Sequence, residues 1–113
     1  MSAITTHVLD TSAGRPAAGI PVTLARRGED GRWTTLAEAI TDADGRVKGL
    51  LGDQAIKQAE VYRLRFTLGE YFGRQRTPAF YPYADVVFTT RPGQHYHVPL
   101  LVSPFGYSTY RGS

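Results

Sequence analysis

A seven-residue run with a strict period of two decides the fold class: Tyr62-Arg63-Leu64-Arg65-Phe66-Thr67-Leu68. Its large apolar side chains occupy every second position, and arginine and threonine stand between them. Because successive side chains of a β-strand point to opposite faces, the run predicts a strand with one buried face and one solvated face. Turn residues divide the rest of the chain into segments of a similar kind.

Seven further segments predict strands, with glycine, proline or aspartate at many of the turns between them. They are Ile4–Leu9, Ile20–Ala25, Trp33–Ile40, Arg46–Leu50, Ala84–Thr90, His95–Val102 and Tyr107–Arg111. Eight short strands at this spacing predict an all-β fold, a sandwich of two sheets. Helix is scarce: residues 69–76, before Pro78, allow one short helix, and residues 53–59 are a weaker candidate. A chain of 113 residues fits one domain over residues 1–113.

Composition excludes several classes of protein and site. The chain has no cysteine, which excludes a disulfide framework, a thiolate zinc site and a cysteine nucleophile. It has no apolar run of about 18 residues, so we expect no membrane-spanning helix. Its 13 Lys and Arg residues outnumber its 10 Asp and Glu residues only slightly and are scattered, so we expect no nucleic-acid partner. The N-terminal residues lack the pattern of a signal peptide and the C-terminal residues lack a peroxisomal address, so we expect a cytoplasmic location; the alternative is a periplasmic mature form from which a leader was removed.

Three histidines, His7, His95 and His97, are candidates for acid–base chemistry. The apolar residues of their strands take the alternate positions, so these histidines are predicted to project from the outer surface of a sheet. Pro99 cannot donate a backbone hydrogen bond, which predicts that its strand is an edge strand or locally irregular. The residues alone leave three interpretations open: solvated surface histidines, a three-histidine zinc site, or a metal-free acid–base pair.

Arg46 and the C-terminal segment are two further candidate elements of a site. Arg46 follows the turn Thr41–Gly45 directly, and Asp42 and Asp44 in that turn are interpreted as turn formers, not as calcium ligands. The C-terminal segment keeps a strand pattern to its last residues, where most chains have irregular polar residues. It is either an ordinary terminal strand or a segment whose Tyr110, Arg111 and carboxylate line a site.

Several stretches of the chain resemble the transthyretin-related family. They are Thr6–Thr11 with Gly14–Ala17, Thr41–Arg46, His95–Pro104 and Tyr107–Ser113. Together they span the chain from end to end. The ending Tyr110-Arg111-Gly112-Ser113 resembles the enzyme branch of the family, the 5-hydroxyisourate hydrolases of purine catabolism. The thyroid-hormone carriers of the family lack this tail and the paired histidines.

This resemblance implies a transthyretin-like, eight-stranded sandwich with one short helix, assembled as a homotetramer that is a dimer of dimers. It also implies hydrolysis of 5-hydroxyisourate to 2-oxo-4-hydroxy-4-carboxy-5-ureidoimidazoline, with no cofactor and no metal. The implied catalytic residues are His7, Arg46 and His97. The implied substrate-binding residues are His7, Arg46, Tyr110, Arg111 and Ser113. One histidine is expected to deprotonate water while Arg46 stabilises the oxyanion, and which histidine is the base stays open.

Two other functions are compatible with the same residues. One is a transthyretin-like carrier that binds a small aromatic ligand in a central channel without any chemistry. The other is a zinc hydrolase built on the three histidines. Turnover separates a hydrolase from a carrier, and loss of activity in a chelator separates the zinc enzyme from the metal-free one.

Overall fold

The computed structural model describes residues 2–47, 49–52 and 54–112, and within these ranges the chain forms nine strands and one helix. The strands are β1 Ile4–Asp10, β2 Arg15–Pro16, β3 Pro21–Arg27, β4 Trp33–Ile40, β5 Arg46–Val47, β6 Glu60–Thr67, β7 Tyr83–Thr90, β8 Tyr96–Ser103 and β9 Gly106–Thr109, and the helix is α1 Gly69–Arg74. All eight predicted strands are present, with their ends shifted by a few residues. The two-residue strand β2 is an addition that the pattern did not predict.

The helix prediction is right for one segment and wrong for the other. Residues 69–76 contain α1, which ends at Arg74. Residues 54–59 of the second candidate form no helix, and Asp53 lies outside the described residues. Ile56 is the one buried side chain among residues 54–59, and its carbonyl accepts a hydrogen bond from the backbone of Gly93. A single buried apolar residue does not offset the cost of starting a helix, so the segment packs as a loop against the β7–β8 connection.

Two sheets pack against each other with an apolar core between them. In the first sheet β8 lies between β1 and β9, and the short strands β2 and β5 share the other edge of β1. The second sheet has the order β4-β3-β6-β7. β1 and β8 run parallel, and the other pairs are antiparallel. The first and last long strands of the chain therefore lie side by side.

Of the two alternatives predicted for the strand that contains Pro99, an edge strand or a local irregularity, the first does not hold, because β8 has neighbours on both sides. The expected irregularity is present. Pairing of β8 with β9 stops at Leu100 and Thr109 and resumes only as an isolated bridge between His97 and Gly112. Pro99, which lacks a backbone N–H, lies in this gap. The C-terminal segment therefore leaves the sheet after β9 and returns to it beside His97.

The core follows the predicted alternation. In β6, Tyr62, Leu64 and Phe66 are buried, while Arg63 and Arg65 lie between them on the outer face. Helix α1 adds Tyr71 to the core, and the Tyr71 hydroxyl donates a hydrogen bond of 2.6 Å to the buried Asp10 carboxylate at the end of β1. None of the described residues belongs to a helix long and apolar enough to cross a membrane.

Candidate active site

β1 places His7 on the outer face of the first sheet. Every second residue from Ile4 to Asp10 is buried, and the residues between them are half-buried. Because side chains alternate along a strand, Thr5 and His7 project together from the outer face. The prediction that His7 points away from the core is confirmed.

The register of three strands gathers the predicted catalytic residues on that face. Arg46 of β5 is the direct partner of His7 across one edge of β1, and Pro99 of β8 is its partner across the other. Thr5 is the direct partner of His97. Directly paired residues share a face of the sheet, and diagonal neighbours lie within reach of longer side chains. The structure therefore brings Arg46, His7 and His97 together, and we call this surface, with Thr5, the histidine face.

A tight turn fixes the position of Arg46. The Asp42 carboxylate accepts hydrogen bonds from the backbone N–H groups of Asp44 (2.9 Å) and Arg46 (3.1 Å). Gly45 has a φ of +73°, and a Cβ at this position would collide with the carbonyl oxygen of Val8 in β1. Only glycine combines that backbone conformation with so close an approach. The interpretation of Asp42 as a turn former is confirmed.

A threonine hydroxyl links two of the histidines. Thr5 Oγ1 lies 2.8 Å from His97 Nδ1 and 3.2 Å from His95 Nε2. The other ring nitrogen of His95, Nδ1, lies 2.9 Å from the carbonyl oxygen of Ser2. Sequence reasoning did not single out Thr5. Its position two residues before His7, on the same face of the same strand, is the signal that points to it.

Burial and neighbouring positive charge hold the pKa of His97 below its ordinary value of 6.5. Burial of the ring contributes most, followed by Arg46 and then by His7 and His95. Each of these effects disfavours the addition of a proton to the imidazole. The lowered pKa favours the neutral ring, which is the form that a general base needs in order to accept a proton.

The C-terminal segment touches the histidine face through Gly112. The Gly112 N–H donates a hydrogen bond of 2.8 Å to the His97 carbonyl. A Cβ at Gly112 would lie 2.7 Å from Cδ2 of the His97 ring, closer than side-chain atoms approach one another. The tail can therefore pack on the imidazole only because residue 112 has no side chain. A glycine within a strand pattern is a known sign of such a close backbone approach, although sequence reasoning did not use it.

Two predicted substrate-binding residues, Tyr110 and Arg111, line a different surface. Arg111 lies over the ring of Tyr96, 4.5 Å from its centroid, and donates a hydrogen bond of 3.1 Å to Gln94. Both residues line an open groove of about 710 Å³ between β7 and the inner face of β8. The groove and the histidine face are thus on opposite sides of β8. The remaining predicted residue, Ser113, lies outside the described residues.

The geometry of the histidines suits proton transfer. Among residues 2–47, 49–52 and 54–112, no group of three His, Asp or Glu side chains is placed to hold a metal ion. His95 and His97 instead converge on the Thr5 hydroxyl from two sides. A zinc site needs at least three protein ligands around one point. The described side chains offer imidazoles, a cation and a bridging hydroxyl, which are groups that can move a proton.

Comparison with known proteins gives the family. A model of the HIUase/Transthyretin family matches residues 4–112. The chain belongs to this family. A 5-hydroxyisourate hydrolase of Caulobacter vibrioides is 48% identical over the full length of both chains. The predicted resemblance to the transthyretin-related family is confirmed.

Solved structures of the HIUase/Transthyretin family confirm the predicted sandwich. The 5-hydroxyisourate hydrolase of Klebsiella pneumoniae is 37% identical, with a TM-score of 0.82 over 97% of this chain and 92% of that chain. Sea bream transthyretin, solved in complex with thyroxine, is 34% identical, with a TM-score of 0.91 over 98% of this chain and 95% of that chain. A hydrolase and a hormone-binding protein thus share the fold, so the side chains on its faces have to separate the two functions.

Proposed function

We propose that this chain hydrolyses 5-hydroxyisourate to 2-oxo-4-hydroxy-4-carboxy-5-ureidoimidazoline in urate catabolism, without a metal or other cofactor. The observation that carries the proposal is the gathering of Arg46, His7 and His97 on one sheet face, where burial and these neighbours lower the pKa of His97. The 5-hydroxyisourate hydrolase of Caulobacter vibrioides, 48% identical from end to end, supports it.

In the proposed mechanism the site supplies a base and a cation. One imidazole of the His7 and His97 pair takes a proton from a water molecule whose oxygen attacks the carbonyl carbon of the cyclic amide. The planar Arg46 guanidinium donates hydrogen bonds to the oxyanion that forms there. The carbon–nitrogen bond then breaks, and the proton passes from the imidazole to the leaving nitrogen. The ring opens to a carboxylic acid, which becomes the carboxylate by releasing its proton to solvent. Water is the one co-reactant, so the step balances without an oxidant or a metal.

We assign Tyr110, Arg111 and Ser113 to substrate binding in the assembled protein. Within one chain Tyr110 and Arg111 line the groove beside β7, on the other side of β8 from His97. Their part in binding is therefore tested apart from that of the histidines. A rise in KM with little change in kcat for Tyr110→Phe and Arg111→Gln supports the assignment, because uniform binding is lost in that case. Unchanged KM values in both variants contradict it.

We further propose that the chain forms a homotetramer, a dimer of dimers. In the described sheets β7 and β9 are end strands, and beside their free edges lie the exposed side chains of Val87 (53%), Tyr107 (40%) and Tyr110 (58%). Unpaired edges with apolar side chains are where the strands of a second copy can pair. A further copy over the histidine face would turn an open surface into a pocket. Sedimentation equilibrium should give four times the chain mass of 12.4 kDa, and a stable monomer contradicts the assembly.

The experiment that tests the function is a coupled ultraviolet assay with chelator present throughout. Uricase generates 5-hydroxyisourate in the cuvette, and its decay is followed with and without this protein. Faster decay supports the metal-free hydrolase. Decay at the rate of buffer alone, from protein that is folded by circular dichroism, contradicts the metal-free hydrolase; the assay is then repeated without chelator and with added zinc, and decay that is still at the buffer rate favours a carrier. Activity that disappears in chelator and returns with added zinc supports the zinc hydrolase instead.

Two broader predictions belong to the same proposal. The chain forms one domain over residues 1–113, and a single cooperative unfolding transition supports this. The reaction takes place in the cytoplasm, which fractionation of the source cells tests. Recovery of the protein from the periplasm contradicts that location.

A further inference from the structure

The hydrogen bonds around Thr5 determine which nitrogen of His97 carries a proton. The carbonyl oxygen of Ser2 can only accept a hydrogen bond, so His95 Nδ1, 2.9 Å away, is a donor. In a neutral imidazole one nitrogen donates and the other accepts. His95 Nε2 is therefore an acceptor, and it accepts the hydroxyl proton of Thr5, whose oxygen lies 3.2 Å away.

That direction leaves the Thr5 oxygen only one role toward His97. A threonine hydroxyl has a single proton, and once the proton is donated to His95 the oxygen can only accept. His97 Nδ1, 2.8 Å from Thr5 Oγ1, is then a donor. The lone pair of the neutral His97 ring therefore lies on Nε2, on the far side of the ring from Thr5.

We propose that Thr5 and His95 are positioning residues that hold the His97 proton on Nδ1, so that His97 Nε2 is the base that takes the proton from water. The inference rests on the proposed hydrolysis and chooses His97 over His7 as the base. Within the described ranges, the ring of His7 has no comparable chain of hydrogen bonds to fix its tautomer. Neither Thr5 nor His95 touches the reacting atoms, since both act through Nδ1 of His97, and the proposed base is Nε2.

The chain of hydrogen bonds has this direction while His95 is neutral. A proton on both nitrogens of His95 makes Nε2 a donor to Thr5 and turns the Thr5 hydroxyl toward His97 Nδ1. A neutral His97 then carries its proton on Nε2 and loses its function as a base. Among residues 2–47, 49–52 and 54–112, the charged and titratable groups that act on His97 are Arg46, His7 and His95, and Arg111 approaches the His95 carbonyl at 3.5 Å. The tautomers are therefore measured at about pH 8.5, well above the ordinary pKa of an imidazole.

Nitrogen-15 NMR of histidine-labelled protein reads the tautomers directly and needs no substrate. With only three histidines in the chain, His7→Ala and His97→Ala suffice to assign the ring signals, because each removes its own signal from the spectrum. We expect His97 of the unmodified protein with its proton on Nδ1. In Thr5→Val, which keeps the side-chain shape but has no hydroxyl, the form protonated on Nε2 should appear. A His97 ring protonated on Nε2 in the unmodified protein overturns the inference.

Kinetics then test whether the tautomer matters for catalysis. Thr5→Val should lower kcat about 10-fold, the size of one lost hydrogen bond, with little change in KM. Thr5→Ser retains the hydroxyl and should restore kcat. His95→Ala, at an exposed position, removes the acceptor that orients Thr5 and should also lower kcat. Thr11→Val is the matched control, because it removes a threonine hydrogen bond to the β8 carbonyl of Val102, far from the histidines.

The outcomes separate this inference from the proposed function. If the unmodified protein does not speed the decay of 5-hydroxyisourate, the proposed function is wrong. The inference rests on that function, so it is then overturned as a claim about catalysis, even where NMR shows the expected tautomer. If the protein is active but Thr5→Val and His95→Ala keep full kcat, the function stands and the inference is overturned. Loss of kcat in Thr5→Val with restoration in Thr5→Ser, together with the expected NMR signals, supports both.

Discussion

Side chains alternate along the strands of both sheets, so each outer face of the sandwich carries charged side chains, but the contacts of these side chains differ between the two faces. On the second sheet, Arg63, Arg65 and Asp85 form what we call the arginine face. Arg65 donates two hydrogen bonds, of 2.7 and 2.9 Å, to the Asp85 carboxylate, and it lies 4.4 Å from the ring centroid of Tyr83. Arg63 lies over the ring of Trp33, 4.6 Å from its centroid. Each cation on this face is matched with an anion or an aromatic ring.

On the histidine face, groups that carry or can accept positive charge lie together. His97 is surrounded by Arg46, His7 and His95, and its pKa is lowered by burial first and by these neighbours next. The pKa of Asp85 is also lowered, chiefly by its hydrogen bonds from Arg65. A nearby arginine therefore stabilises the charged form of Asp85 but destabilises the charged form of His97. Matched charges are typical of structural contacts, whereas an unmatched group with a shifted pKa is typical of a working site.

The largest expected effect is the difference in kcat between a substitution of Arg46 on the histidine face and the same substitution of Arg65 on the arginine face. Arg46→Lys keeps the charge but loses the planar donor fork, so kcat should fall about 100-fold, as when one oxyanion donor is removed. Arg65→Lys on the arginine face is the matched control, and it should leave kcat unchanged. Steady-state kinetics of both variants check this. Full activity in Arg46→Lys, or loss of activity in a folded Arg65→Lys, removes the functional distinction between the faces.

A smaller effect should come from the tail that packs on His97. Gly112→Ala places a Cβ 2.7 Å from Cδ2 of the His97 ring, so the ring or the tail has to move. A small misplacement of a catalytic group is costly, and kcat should fall about 10-fold. Gly106→Ala is the control, since a Cβ there meets Ser103 Oγ at an ordinary 3.7 Å. Equal kcat values for the two variants would show that the tail does not position His97.

The arginine face and the histidine face also show which features of the structure can be predicted from the sequence and which cannot. The alternation in Tyr62–Leu68 is local, so the strand and its outward arginines could be predicted from it. His7 and His97 are predicted to face outward for the same reason. Their proximity depends on the parallel pairing of β1 with β8, strands from opposite ends of the chain. No local pattern encodes that register, which is why the roles of Thr5 and Gly112 became visible only in the structure.

The predicted role of the tail shows the same limit. Its strand pattern indicates an extended segment, and β9 with the bridge at Gly112 is extended. The gap in pairing opposite Pro99 depends on the partner strand, and it turns Arg111 onto Tyr96. Residues 53–59 show the opposite case. Their weak local pattern predicts a helix, but residues 54–59 form a loop that is held by its contacts. Local propensity prevails only where packing does not oppose it.

The pKa of His97 sharpens the comparison of the faces. NMR titration of the unmodified protein should give a pKa for His97 below 6.5. Arg46→Gln removes a cation and should raise the pKa of His97, whereas Arg65→Gln should raise the pKa of Asp85 and leave His97 unchanged. Because the base must be neutral, activity should be present above the pKa of His97 and be lost as the pH falls through it. A His97 pKa that does not respond to Arg46→Gln would show that the two side chains do not interact.

The smallest effect should be on stability, at the arginine face. The pKa of Asp85 is lower in the folded chain than its ordinary 3.8, so the folded state binds fewer protons than the unfolded one as the pH falls. The pair with Arg65 therefore stabilises the fold above that ordinary value, and the stabilisation is lost as the pH falls through the lowered pKa.

Because both side chains are partly exposed, Asp85→Asn should lower the free energy of unfolding at pH 7 by only about 0.5 kcal/mol, and less in 1 M salt. Urea unfolding at pH 7 and at a pH where NMR shows Asp85 protonated checks this, and a difference that persists at the lower pH assigns the loss to packing and not to the ion pair. The kcat of Asp85→Asn should equal that of the unmodified chain, since on this face the charges hold the sheet and take no part in the reaction.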